Sequence, residues 1–175
     1  AGHGGSEKGA IGCLGDYEKD ITLDVALKLQ KELRRQGAIV VMTRESDEKV
    51  PLKKRVEITN ESDSSIFVSI HGNALPDNLN PLEHRGTSVF YYYPQAKGLA
   101  VSILNAINKQ AGTQNDGVRQ GSLAVVRNTN ALSVLIELGY LINPEDNALL
   151  VNDKFREKCA KAIAQGISDY LKSLV

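Results

Sequence analysis

The sequence SVLIEL, at residues 133–138, decides the fold class, because a nearly continuous apolar run is typical of a strand buried inside a sheet. Further strands are predicted at residues 64–70 (SSIFVSI), 87–93 (TSVFYYY), 38–43 (AIVVMT) and 123–127 (LAVVR). Segments with helical periodicity separate these strands. The alternation predicts an α/β fold with a mostly parallel sheet.

Between the strands, apolar residues recur at the spacing of one helix face. The first helix is predicted over residues 18–36, with Asp16 as its N-cap and Gly37 as its stop. The segment AGTQNDGVRQGS, residues 111–122, is interpreted as turns because it is rich in Gly, Asn and Asp. Further helices are predicted after Pro51, after Pro94 and over residues 155–174.

The composition is that of a globular chain and excludes several function classes. The 175 residues are 42% hydrophobic and 24% charged, which predicts one domain over residues 1–175. Lys plus Arg number 21 and Asp plus Glu also 21, so a strongly basic, nucleic-acid-binding surface has no support. No apolar stretch approaches the roughly 18–20 residues that cross a bilayer. We expect a monomer that binds neither nucleic acid nor the membrane interior.

Three polar side chains stand at or near the ends of strands, where an open α/β sheet binds its ligands. His71 directly follows SSIFVSI, and Glu137 lies near the end of SVLIEL. His3, within GHGG, would follow a strand that precedes it. Since glycine beside each histidine leaves the backbone open to a cleft, we expect these side chains to face one site.

Two imidazoles and one carboxylate are a typical ligand set for catalytic zinc, which keeps its fourth position open. A second carboxylate outside the metal shell then transfers protons. Glu18 and Glu137 are candidates for the two carboxylate roles. The spacing alone leaves His84 as an equally eligible third ligand, and the helix dipole by itself favours a glutamate at position 18. The helix-borne zinc motif HExxH is absent.

Four motifs in the same order resemble the zinc-dependent N-acetylmuramoyl-L-alanine amidases. The resemblance extends from residue 1 to about residue 150. The motifs are GHGGSEKGAIG at residues 2–12, EKD at 18–20, SIHGNA at 69–74 and VVRNTNALSVLIELGYLINPED at 125–146. The sequence is therefore identified as a member of that family, and it departs from the family pattern at Asp116, commonly basic, and at Leu132, commonly proline.

The resemblance implies a catalytic domain whose zinc ligands are His3, Glu18 and His71. It implies that Glu137 takes a proton from a zinc-activated water and returns it to the leaving amine. The substrate would be peptidoglycan, and the bond cut the amide between N-acetylmuramic acid and L-alanine. This substrate implies action in the periplasm or cell wall. The family's fold implies a twisted sheet of about six strands with helices on both faces, whose first strand would precede residue 1.

Asn73, Arg119 and Asn128 are expected to contact the substrate, because carbonyls and carboxylates of the glycopeptide need hydrogen-bond donors. The loop at residues 72–86 is too short for a helix that would block the cleft, so we expect activity without an activator protein. Two alternatives remain at this point. One is a catalytically inactive wall-binding module, and the other is a zinc carboxypeptidase that acts on the stem peptide.

Overall fold

The computed structural model of the chain describes residues 1–127 and 130–175, and its described residues form one mixed sheet of four strands. The strands are β1 (Ile66–Asn73), β2 (Thr87–Tyr91), β3 (Asn115–Gln120) and β4 (Leu132–Tyr140). The order across the sheet is β1-β4-β2-β3. Strand β4 runs parallel to β1 and antiparallel to β2, and β2 is parallel to β3. The α/β class is confirmed, whereas the described residues do not form the expected six strands.

Three helices and one face of the sheet enclose the main hydrophobic core. Val25, Ile103 and Ile163 each come from a different helix and are fully buried there with Val134 and Ile136 of β4. Among the described helices, none has the length and apolar character needed to span a membrane. The helices are α1 (Glu18–Arg35), α2 (Leu52–Glu61), α3 (Lys97–Ala111), α4 (Pro144–Leu150) and α5 (Asp153–Lys172), and α1, α3 and α5 pack together on this core.

The opposite face of the sheet carries the polar strand-end residues. Because side chains alternate along a strand, His71 lies on the same face of β1 as Phe67, and Glu137 on the same face of β4 as Leu135. A small apolar cluster there joins Leu135 to Val125 and Val126, and the described part of this cluster includes no helical residue. In the described part of the chain, a loop and not a helix therefore covers this face beside Leu135.

Two of the predicted strands are not formed. Residues 38–43 remain unpaired, because an apolar groove of about 400 Å³ separates them from the outer edge of β1. Ile39 is accordingly 97% exposed. The described residues of LAVVR, 123–127, form a turn that covers Leu135 instead of joining the sheet.

The interpretation of residues 111–122 as turns is wrong, because the segment contains β3. Gly117 adopts a φ of +94°, which accommodates the register shift between β2 and β3. Pairing with β2 therefore outweighs the turn propensity of Asn115 and Asp116. Asp16 is not the N-cap of α1 either; Tyr17 occupies that position, and Asp16 accepts a hydrogen bond from Asn147 Nδ2 at 2.6 Å.

Candidate metal centre

A glycine-rich loop brings His3 to the end of β1. Gly2 N donates to the Ile70 carbonyl at 2.8 Å, which fixes the loop beside the strand. A Cβ at Gly2 would lie only 2.4 Å from the His71 ring, so only glycine fits there. Gly9 has a φ of +70°, and a Cβ on it would lie 2.4 Å from Glu18 Oε2. These glycines let the backbone pack directly against the polar cluster.

Two buried arginines hold this loop in place through hydrogen bonds to its backbone carbonyls. Arg44 donates to the Gly2 carbonyl at 2.8 Å, and Arg55 donates to the His3 carbonyl at 2.7 Å. Neither arginine was predicted to be a site residue, because a contact with a backbone carbonyl leaves no recognisable pattern in the sequence.

Glu18, His3 and His71 form one cluster although they are distant in the sequence. Glu18 opens α1, and its Oε2 lies 3.0 Å from His3 Nε2 while its Oε1 lies 2.9 Å from His71 Nδ1. One ligand atom from each residue lies within 4.8 Å of the others. The two imidazole rings are nearly perpendicular, with centroids 5.1 Å apart. Two nitrogen donors and one oxygen donor at this spacing fit a zinc ion.

The protonation of the cluster suits a metal ligand set, which needs a carboxylate and neutral imidazoles. Burial alone would raise the pKa of Glu18, but hydrogen bonds with His3 and His71 outweigh it and lower this pKa to about 2. The backbone N–H groups of Ala10 and Gly72 also donate to its carboxylate. Burial lowers the pKa of His71, which favours its neutral form.

Glu137 is a second carboxylate beside the cluster, on the strand next to His71. The two residues are register partners in the β1–β4 pair. Its Oε2 is buried and has no hydrogen-bond partner among the described residues. Burial, and then the negative charge of Glu18, raise the pKa of Glu137 to about 8. The site thus combines a carboxylate that stays ionised with one that holds or releases a proton near neutral pH.

The raised pKa of Glu137 predicts a pH-dependent gain in stability from Glu137→Gln in metal-free protein. Ionising this buried carboxyl costs stability as the pH rises above its ordinary pKa of 4.5, and the full cost is present above about 8. We expect the variant to exceed the wild type by a few kcal/mol, on the order of 1.4 per pKa unit, at pH 9 and to match it at pH 4. Urea unfolding in the presence of a chelator measures this. An equal difference at both pH values would contradict it.

The remaining sequence-predicted residues lie outside the cluster. His84 packs beside Tyr140, with ring centroids 6.2 Å apart, so the structure groups Glu18 and not His84 with the two histidines. Asn73 ends β1, and its Oδ1 accepts a hydrogen bond from Ala74 N. Arg119 lies on β3, where its guanidinium donates to Asp116 Oδ1 at 2.5 Å. Asn128 lies outside the described residues.

Two imidazoles and one carboxylate that converge on one point, with a separate carboxylate beside them, form the arrangement used by mononuclear zinc hydrolases. The chain belongs to the N-acetylmuramoyl-L-alanine amidase family Amidase_3, which matches residues 1–169. The family predicted from the four motifs is therefore confirmed.

Named relatives cover nearly the whole chain. It is 37% identical to the probable cell wall amidase LytH of Staphylococcus epidermidis over 98% of its length, and it spans 57% of that relative. It is 34% identical to the germination-specific N-acetylmuramoyl-L-alanine amidase of Bacillus subtilis, covering 97% of this chain and 76% of the relative. The solved structure of the amidase AmiC2 of Nostoc punctiforme is 37% identical, with a TM-score of 0.92 over 98% of this chain and 93% of that one.

Proposed function

We propose that residues 1–175 are the catalytic domain of a zinc-dependent N-acetylmuramoyl-L-alanine amidase that hydrolyses peptidoglycan. The observation that carries this proposal is the cluster of His3, Glu18 and His71, with its donor atoms within 4.8 Å. Beside it lies Glu137, whose buried Oε2 has no hydrogen-bond partner among the described residues. Membership of the amidase family supports the choice of bond, which is the amide between N-acetylmuramic acid and L-alanine.

His3, Glu18 and His71 would hold the metal, because their donor atoms already converge. When bound, zinc would polarise the substrate carbonyl and make water more acidic. The chain's own contribution is to fix the three donor atoms in position and to lower the pKa of Glu18 and of His71, which favours their deprotonated forms. Arg55 and the glycine-rich loop serve this purpose by holding His3 through its backbone.

Glu137 would act as the proton carrier of the reaction. Its buried Oε2 accepts no hydrogen bond from another group in the described part of the chain. This oxygen could therefore accept a proton from the attacking water. Burial favours the protonated form of this carboxyl, from which the proton can pass to the amine of L-alanine as the amide bond breaks.

Asn73, at the end of β1, and Arg119, on β3, would bind the substrate. Asn128 is proposed for the same role from the sequence alone. Arg119 is register partner to Phe90 of β2, and its guanidinium lies over the Phe90 ring at 6.0 Å. Asp116 occupies part of the guanidinium, which has five N–H donors, and the others remain available for a carboxylate or carbonyl.

We further propose that the chain acts as a monomer at the peptidoglycan, in the periplasm or cell wall. The names of its relatives, a cell wall amidase and a germination-specific amidase, support this place of action. Residues 74–86, which follow β1, contain only the short 3₁₀ turn Pro81–Glu83, so the described loop has no helix that would close the cleft.

Digestion of purified sacculi by this domain alone tests the proposal. We expect new L-alanine amino termini and intact glycan strands, loss of this activity with a chelator, and its return with zinc. Release of a terminal amino acid would instead indicate a carboxypeptidase. An absence of products would indicate a binding module, and strict dependence on an added protein would contradict the open cleft.

A further inference from the structure

Glu137 has one cross-strand neighbour on each side, and only one of them already has a hydrogen-bonding partner. β4 lies between β1 and β2, so Glu137 pairs with His71 on one side and with Ser88 on the other. His71 contacts Glu18. Ser88 is fully buried, and its Oγ has no hydrogen-bond partner among the described residues. Two unpartnered polar atoms, Ser88 Oγ and Glu137 Oε2, therefore belong to directly paired residues.

Ser88 and Glu137 are close enough to interact. Directly paired residues of antiparallel strands place their side chains on the same face, with Cβ atoms about 4.5–5.5 Å apart. A serine hydroxyl and a glutamate carboxylate span that gap when either side chain rotates. Phe90 and Leu135, the next pair along this face, are apolar and offer no competing partner.

The adjacent residue shows that the sheet does not leave hydroxyls unpaired as a rule. Thr87 is also fully buried, and its hydroxyl donates to the Leu138 carbonyl at 2.9 Å. Leaving a buried hydroxyl without a partner costs about 1–3 kcal/mol, which an alanine at position 88 would avoid. The structure shows no backbone partner for the hydroxyl of Ser88, in contrast to that of Thr87.

We propose that Ser88 is a positioning residue for Glu137, and this inference rests on the proposed amidase function. Its hydroxyl donates a hydrogen bond to Glu137 Oε2 when the carboxyl is ionised. The hydrogen bond orients the carboxylate between β1 and β2 and stabilises the form that accepts the proton. Two other buried side-chain atoms in the described part of the chain lack a hydrogen-bond partner, Arg44 Nε and Arg85 Nε. Neither arginine is a register partner of Glu137.

The test compares Ser88→Ala with Thr87→Val in the zinc-loaded protein. A hydrogen bond to a charged group contributes about 1.5–3 kcal/mol, so Ser88→Ala should lower kcat by about 10- to 100-fold. KM and zinc content should stay unchanged, because Ser88 contacts neither substrate nor metal. Thr87→Val also removes a buried hydroxyl, but one directed at the backbone, and should lower the unfolding midpoint without a selective loss of kcat.

A second measurement does not depend on activity. The carboxyl carbon of Glu137, assigned by its absence in Glu137→Gln, should titrate at higher pH in Ser88→Ala than in the wild type, because the ionised form has lost its donor. If sacculi are not cleaved by the wild type but this shift appears, the amidase function fails and the positioning role stands. An unchanged titration, or a kcat equal to that of the wild type, would overturn the positioning role.

Discussion

Glu137→Gln is expected to lower the turnover of peptidoglycan by about 10²- to 10⁴-fold, the range typical of losing a general acid–base group. Glutamine has nearly the same shape but neither accepts nor delivers the proton. Zinc content should not change, because Glu137 lies outside the cluster formed by His3, Glu18 and His71. Release of L-alanine amino termini from sacculi, together with metal analysis of the same sample, measures both quantities.

The matched control for that experiment is Glu157→Gln, the same change at an exposed position on α5. Glu157 forms an ion pair with Lys161, and a pair this exposed contributes little to stability. We expect wild-type turnover from the control. If Glu137→Gln retains full turnover, or if its loss follows a loss of zinc, Glu137 is not the proton carrier.

Glu18→Ala is expected to abolish zinc binding and activity together. The side chain of Glu18 is almost completely buried, and it contacts both His3 and His71 at about hydrogen-bonding distance. Its removal would take away one of the three proposed zinc ligands and leave both imidazoles without their shared partner. Substitutions of residues that only support metal ligands cost about 10- to 100-fold in metal affinity, and we expect the loss here to be larger. Zinc content after dialysis against a weak chelator measures it.

His84→Ala separates this prediction from a general effect of removing a polar group. His84 packs near Tyr140, away from the cluster, so the variant should keep its zinc. If Glu18→Ala retains zinc and His84→Ala loses it, His84 and not Glu18 is the third zinc ligand. Circular dichroism of each variant establishes that the protein remains folded before its zinc content is compared.

The local sequence pattern was sufficient to predict helix α1 and strand β4, whose apolar residues follow a clear pattern. The helix predicted over residues 18–36 matches α1, and the apolar run at residues 133–138 lies inside β4. Gly37, predicted to stop the first helix, adopts a φ of +89° two residues beyond its end. The helix and its stop depend on interactions within a few residues, and a continuous apolar run marks a strand that is buried on both faces, so these features are visible in the sequence.

Pairing partners were not predictable in the same way. Residues 38–43 have strand composition but no neighbouring strand, whereas β3 has turn composition but pairs with β2. Strand formation depends on hydrogen bonds to a partner that is distant along the chain, so composition alone misassigned both segments.

The amino-acid sequence by itself determined the fold class, the family and the identity of the candidate residues, because periodicity and motifs are local properties. Only the tertiary structure decided that Glu18 and not His84 joins the two histidines, and that Ser88 stands beside Glu137. These choices depend on which strand ends meet and on which face each side chain lies. Sheet order and register set both, and neither is written in any single segment of the chain.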